Sequence, residues 1–308
     1  MPSPSIVVRV YAHASRTPSA APAARLIAAL GRPEAVPPPL LMLLGMVSTQ
    51  VGAAVAKQLF TATSPGGTTT LRLGLGALVL LAVTRPTRWP GWRAAGLIVA
   101  FGVAMAAMNL AFYAALQRVP LGVAVTVGFA GPLVVSLLGS RRVVDVLWAL
   151  LAGTGVLLLA GLGGAGVDPL GLLLCGLIAV GWAGYVLLGK AMSNHLPGTR
   201  GLALGMAVGA VCVLPFGVAS GGAELLDLRI VALGLGVALL SSVLPYSAEL
   251  AALRRMPARV FAVLLSLEPA VAAVVGTLLL GELLAWPQLA GVACVVGAAL
   301  GATLARRD

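Results

Sequence analysis

The sequence predicts an all-α integral membrane protein with ten transmembrane helices in two inverted five-helix repeats and both termini in the cytoplasm. Three observations support this fold class: an apolar composition, ten apolar runs of membrane-spanning length and an internal repeat. Of the 308 residues, 60% are hydrophobic and only 9% are charged. Soluble domains are about 25% charged, so much of the surface of this chain must face lipid.

The apolar runs define the predicted helices. Each is about 20 residues long, as a helix needs to cross the hydrocarbon core, and none alternates like the strands of a membrane barrel. The predicted helices cover approximately residues 40–59, 66–84, 94–116, 121–139, 144–162, 170–190, 200–218, 230–252, 259–280 and 285–304. The connections are short, and the Pro/Gly sequence TATSPGG is predicted to form the first turn.

The basic residues predict the orientation. Of the 20 Lys and Arg residues, 16 fall on one side of the predicted bundle, three fall on the other, and Arg72 lies within a helix. Positive charge accumulates on the cytoplasmic side, which predicts that both termini lie there. Residues 1–38 are predicted to form a flexible basic cytoplasmic tail. They contain four arginines and no long apolar run, so they lack the apolar core of a secretory signal. The net charge of +11 thus belongs to the loops and does not indicate nucleic acid.

The internal repeat divides the chain. Residues 114–120 (AALQRVP) match residues 251–257 (AALRRMP) at an offset of 137. The same offset pairs Gly131-Pro132 with Glu268-Pro269 and Asp145 with Glu282, and an offset near 132 pairs Pro65 with Pro197 and Lys57 with Lys190.

The repeat defines two predicted units, residues 39–165 and 166–308. Each unit contains five predicted helices. Because five is odd, the second unit enters the membrane from the opposite side. Inverted repeats are typical of alternating access around a substrate site near the bilayer midplane.

Two carboxylates lie inside predicted helices, Glu249 in the eighth and Glu268 in the ninth. Ionisable groups at membrane depth are costly and usually functional, so each is a candidate for binding a proton or a substrate ammonium group. Pro269 lacks a backbone donor and disturbs the helix, which makes Pro269 and its repeat mate Pro132 candidate hinges. The structural alternative is that Glu268 caps backbone groups at the kink.

Other charged residues also have alternatives. Glu249 is within reach of a salt bridge to Arg254 or Arg255. Arg72 could hold a substrate carboxylate by a bidentate contact or pair with a buried acid. Lys57 could also bind substrate, but snorkelling to the outer interface is favoured. Glu282 and its mate Asp145 are interpreted as structural, loop-capping acids.

Polar and aromatic side chains complete the candidate substrate site. Aromatic residues at helix ends often anchor at the interface instead. The candidates are Gln50, Asn109, Tyr113, Trp182, Tyr185 and Tyr246. No metal site or cofactor is predicted, because the three cysteines are isolated in apolar runs and the two histidines are far apart.

Three stretches carry a resemblance to a known family. They are QVGAAVAKQLF (50–60), VPLGVAVTVGFAGPLVVSLLGSRR (119–142) and LPYSAELAALRRMPARVFAVLLSLEPAVAAVVGTLLLGE (244–282). The chain resembles the EamA-type transporters of the drug/metabolite transporter superfamily over roughly residues 40–305. It is most similar to bacterial exporters of threonine and homoserine. The resemblance implies a central cavity lined by predicted helices 1, 3, 4, 6, 8 and 9, and proton-driven export of small amino-acid-like metabolites.

The function expected is therefore secondary transport by proton antiport, with the lipid bilayer, protons and a small molecule as partners; a homodimer is left open. A broad-specificity drug or nucleotide-sugar carrier is the alternative within transporters. An integral-membrane enzyme acting on lipid-linked substrates would need clustered catalytic acids, histidines or metal ligands, and no such cluster appears. The protein is therefore not expected to be an enzyme. The absence of a phosphate-binding GxxxxGK[ST] loop argues against ATP-driven primary transport. A channel would be expected to show rings of charge through oligomerisation.

Overall fold

The structure, a computed structural model, describes residues 36–86, 91–138, 143–159, 168–193, 195–196, 200–253, 255–256 and 258–304. Nearly all of the predicted tail lies outside these residues. The secondary structure of the described part is helical, without strands. The predicted all-α class is confirmed.

The helices follow the apolar runs, because a helix satisfies its own backbone groups where lipid offers no partners. The described residues contain eleven α-helices. These are α1 (Pro38–Thr84), α2 (Trp92–Ala115), α3 (Leu121–Leu138), α4 (Val143–Leu159), α5 (Pro169–Ser193), α6 (Arg200–Gly221), α7 (Leu228–Ala238), α8 (Leu244–Leu253), α9 (Ala258–Leu265), α10 (Glu268–Leu280) and α11 (Trp286–Leu304). A 3₁₀ turn (Gly222–Leu226) precedes α7, and a π-helical turn (Leu239–Val243) joins α7 to α8.

Helix α1 contains two of the predicted helices, and the turn between them is shorter than the sequence predicts. Helical backbone continues on both sides of Ser64, which alone leaves the helical region with φ 73° and ψ 161°. Gly52 and Gly76, each twelve residues from Ser64, face Ser241 and Ser242 respectively. The chain therefore doubles back at Ser64, and α1 has a first arm (38–63) and a second arm (65–84).

The exterior of the bundle is apolar. Seven helical stretches of the described chain are long and apolar enough to cross a membrane, and two further apolar helices are shorter. Leu78, Val180 and Leu278 expose 64%, 72% and 75% of their surface. Soluble monomers rarely expose large contiguous apolar patches. The chain is accordingly a multi-pass membrane protein whose outer surface contacts lipid.

Small residues allow the helices to cross closely. The packed pairs include α4 with α11, α3 with α10, α2 with α5, and α3 with α5. A methyl group on Gly155 would lie 2.7 Å from the carbonyl oxygen of Gly291. On Gly131 of α3 it would overlap the carbonyl group of Ala179 on α5. Small residues at such crossings let backbones approach in membranes, where helices gain no hydrophobic drive to associate.

We expect Gly131→Ala to lower the free energy of unfolding by about 1–3 kcal/mol, because α3 and α5 must separate to fit the methyl group. Thermal unfolding in detergent measures the effect. The matched control is Gly176→Ala on the exposed face of α5, where no atom lies within 4 Å of the added carbon. Equal melting temperatures for the two variants would show that the α3–α5 contact is looser than described.

Candidate functional site

A cavity lies between the helices, about halfway along several of them. Its volume is about 140 Å³, on the order of ten times the space that one water requires, so a small polar molecule fits. Its wall consists of Thr49, Gln50, Ala53, Arg72, Met108, Asn109, Phe112, Val125, Phe129, Pro132, Ile178, Trp182, Tyr185, Val186, Ser241, Pro245, Tyr246, Glu249, Leu265 and Glu268. Three charged side chains lie on this wall: Arg72 from the second arm of α1, Glu249 from α8 and Glu268 from α10.

Arg72 is held in place by three hydrogen bonds. Its Nη2 donates to the carbonyl of Ser241 at 3.1 Å, its Nε donates to the Ser242 hydroxyl at 3.4 Å, and its Nη1 donates to the Tyr113 hydroxyl at 3.4 Å. The Ser241 carbonyl is free to accept because the residue four positions later is Pro245, which has no N–H. A guanidinium has five N–H donors, so two are not used by the described residues and can serve a ligand in the cavity.

Glu268 begins a helix inside the bundle. Helix α9 ends at Leu265 and α10 starts at Glu268, so the ninth predicted helix is interrupted directly before the Glu268-Pro269 pair. The first turn of a helix favours negative charge because of the helix dipole. The interruption therefore places a carboxylate at a helix N-terminus on the cavity wall.

Gln50 joins Glu268 from the first arm of α1. Its Nε2 donates to Glu268 Oε1 at 3.5 Å, and the side chain is only 1% exposed. The Gln50 Oε1 and Ser241 Oγ atoms are buried and have no hydrogen-bond partner in the described part of the chain. An unpaired buried polar atom costs about 1–3 kcal/mol. This side of the cavity therefore has polar capacity that the protein itself does not use.

The structure brings most of the predicted site residues together. The wall includes seven of the predicted substrate- or proton-binding residues besides Arg72, namely Gln50, Asn109, Trp182, Tyr185, Tyr246, Glu249 and Glu268. Tyr113 lies behind the wall, where its hydroxyl supports Arg72. The alternative partner Arg255 donates to the carbonyl of Val36 at 2.9 Å, and Arg254 lies outside the described residues.

The two predicted hinge prolines differ in their settings. Pro132 lines the cavity, but α3 continues through it. Pro269 is not part of the cavity wall, and it occupies the first turn of α10. Proline is well tolerated in a first turn because the missing N–H would have no helical partner there.

Lys57 does not line the cavity. Its Nζ lies 2.5 Å from Glu282 Oε1. The other oxygen of Glu282 accepts the backbone N–H of Leu121, the first residue of α3, at 2.6 Å. Glu282 is thus a structural, loop-capping acid as predicted, and it ties α1 and α3 to the end of α10.

We expect Glu282→Gln to lower the free energy of unfolding by about 1–3 kcal/mol, since it weakens two charge-assisted hydrogen bonds in a half-buried site. Thermal unfolding of the detergent-solubilised protein measures the change. Asp168→Asn is the matched control: Asp168 pairs with Arg118 at 2.6 Å, but this pair is more exposed, and exposed pairs contribute little. A larger loss in the control than in Glu282→Gln would contradict this assignment.

The π-helical turn and two aromatic side chains of the cavity wall, Phe112 and Phe129, were not predicted from the sequence. Ser241 and Ser242 have no distinctive pattern of their own, although Pro245 marks the unpaired carbonyl that Arg72 uses. Phe129 and Phe112 look like ordinary membrane-helix residues in the sequence. Only their position beside Trp182 and Glu249 on the wall distinguishes them.

Comparisons with known proteins agree with this architecture. The model of the EamA-like transporter family matches residues 169–304. The threonine/homoserine exporters RhtA of Salmonella typhimurium and of Escherichia coli strain K12 are each 41% identical to this chain over 274 residues, covering 88% of it and 92% of theirs. The chain belongs to the EamA-like transporter family.

For this EamA-like transporter, a solved protein structure of 19% sequence identity supports the fold alone. It covers 87% of this chain and 96% of its own, with a TM-score of 0.51. The family model matches only the second half of the chain, whereas the RhtA relatives extend the likeness across both halves.

Proposed function

We propose that this transporter exports small zwitterionic amino acids, of which threonine and homoserine are the first candidates, in exchange for protons. The observation that carries the proposal is the cavity wall, which presents one guanidinium and two carboxylates. An α-amino acid has the complementary charges. The name of the RhtA relatives supports the choice of threonine and homoserine.

The charged residues of the cavity have different proposed roles in substrate binding and proton coupling. Arg72 keeps two N–H donors for a substrate carboxylate, to which a guanidinium binds in a forked geometry. Glu268 and Glu249 either accept a substrate ammonium group or carry a proton. Because one carboxylate cannot do both at once, proton and substrate compete for it, which couples their opposite movements.

The proposed architecture is ten membrane-crossing segments in two inverted repeats, residues 39–165 and 166–308. The two arms of α1 count separately, α7 joins α8, and α9 joins α10. The repeat then predicts that equivalent helices pair across a two-fold axis. The contacts of α3 with α10 and of α4 with α11 have this form, since they join the fourth segment to the ninth and the fifth to the tenth.

Two arginine contacts support the same symmetry. Arg118 and Arg255 are repeat mates at the offset of 137. Arg118 binds Asp168 just before α5, and Arg255 binds the carbonyl of Val36 just before α1. Asp168 and Val36 are 132 residues apart, which is the other repeat offset. The hydrogen bond from Arg118 lowers the pKa of Asp168, so the Asp168 carboxylate stays ionised at neutral pH.

The proposed location is the bacterial inner membrane, with both termini and the tail of residues 1–38 in the cytoplasm. The excess of basic residues on one side of the bundle supports this orientation.

Counterflow in proteoliposomes tests the proposal. Labelled threonine or homoserine is offered outside, with unlabelled amino acid inside, with and without a pH gradient. Saturable uptake that the gradient stimulates is expected. Uptake of nucleotide sugars or cationic drugs without amino-acid uptake would instead favour a broad-specificity carrier. Empty liposomes provide the control.

A further inference from the structure

The repeat symmetry is broken inside the cavity. Gln50 and Trp182 are repeat mates at the offset of 132, and Glu249 and Phe112 are mates at the offset of 137. All four lie on the wall. In each pair, one mate is polar or charged and the other is a large apolar side chain. The polar residues Gln50 and Glu249 in one half of the site therefore have apolar repeat mates in the other half.

A third pair of mates, Glu268 and Gly131, is also unequal. Glu268 meets Gln50 by a hydrogen bond. Its mate Gly131 has no side chain and lets α5 come close to α3. Two equivalent contacts in the two repeats therefore differ. Glu268 makes a polar contact with Gln50, whereas Gly131 allows a close helix crossing without a side chain.

The close crossing positions an aromatic wall. Trp182 on α5 packs edge-on against Phe129 of α3, with ring centroids 5.8 Å apart and an interplanar angle of 87°. An added carbon on Gly128 would lie 3.7 Å from the Trp182 ring and 2.7 Å from Ile178. The indole is therefore supported by contacts with α3.

We infer that this apolar half, formed by Phe112, Phe129, Ile178 and Trp182, receives the side chain of the substrate, and that Trp182 limits its length. The inference rests on the proposed function, since the α-amino and α-carboxyl groups must occupy the charged half. The side chain of the same molecule then points toward the apolar half. A pocket closed by a supported indole admits a short side chain and excludes a longer one.

Trp182→Leu tests the size limit, because it shortens the wall and keeps it apolar. Counterflow of threonine, leucine and phenylalanine is measured for both proteins. One methylene in a pocket changes selectivity by roughly 10–200-fold, so the leucine-to-threonine flux ratio should rise at least about tenfold. Val180→Ala is the matched control, since Val180 lies on the exposed face of the same helix; its ratio should equal that of the wild type.

Trp182→Phe guards against misfolding of the leucine variant, and both variants are checked by thermal unfolding. Trp182→Phe should raise the leucine-to-threonine flux ratio by a smaller amount than Trp182→Leu does. Wild-type threonine counterflow with an unchanged ratio in the folded variants would overturn the side-chain subsite alone. Absence of any wild-type amino-acid counterflow would overturn the proposed function and this subsite with it.

Discussion

Glu268→Gln is expected to abolish stimulation of transport by a pH gradient. The amide has nearly the shape of the carboxyl group and can still hydrogen-bond to Gln50, but it neither carries a charge nor gains or loses a proton in the relevant pH range. Loss of a buried charged partner typically costs 2–5 kcal/mol, so amino-acid affinity should also fall by roughly 30-fold or more. Flux in proteoliposomes, with and without the gradient, measures both effects.

Two further variants make the Glu268 result specific. Glu224→Gln changes an exposed carboxylate outside the cavity and should retain full stimulation by the gradient. Glu249→Gln shows which acid carries the proton. Stimulation that survives in Glu268→Gln and disappears in Glu249→Gln would transfer the coupling role to Glu249.

Arg72→Lys is expected to weaken binding of amino acids by roughly 30-fold or more, the equivalent of about 2 kcal/mol. Lysine keeps the charge, but it lacks the planar fork that pairs with a carboxylate. It also cannot donate at once to Ser241, Ser242 and Tyr113 in the arrangement that orients Arg72. The concentration dependence of threonine counterflow measures the loss.

The amino alcohol threoninol separates recognition from structure in the Arg72 experiment. It retains the ammonium group and the side chain of threonine but has no carboxylate. Its competition with labelled threonine should be weak in the wild type and should change little further in the variant. An equal loss of affinity for threonine and threoninol would mean that Arg72 only supports the fold. Arg118→Lys, at an exposed loop pair, serves as the substitution control.

Much of the fold was predictable because the bilayer imposes simple rules on the chain. An apolar run of about 20 residues has few stable alternatives to a membrane-spanning helix. The interruption before Glu268-Pro269 was likewise predictable, since proline removes a backbone donor. By contrast, the reversal at Ser64 is sharper than the Pro/Gly sequence predicts. A single residue with positive φ is sufficient there because helical backbone continues on both sides of it.

The types of residue in the candidate site could be predicted from the sequence, but which residues line the cavity could not. Arg72, Glu249 and Glu268 stand out in the sequence because isolated charges in apolar helices are expensive. Lys57 stands out for the same reason, yet it lies outside the cavity wall and pairs with Glu282. Ser241 does not stand out at all, although its carbonyl orients Arg72.

The membrane class, the positions of the apolar helices and the unusual charges within them can all be predicted from the amino-acid sequence. These properties depend on composition and local spacing, so they can be inferred from nearby residues. By contrast, which charges share a cavity and which pair elsewhere depends on contacts between helices that are distant in sequence. Lys57 and Glu282 are 225 positions apart, and Gln50 and Glu268 are 218 apart. Such pairs meet only when the helices pack, and helix packing depends on side-chain shape across the whole bundle.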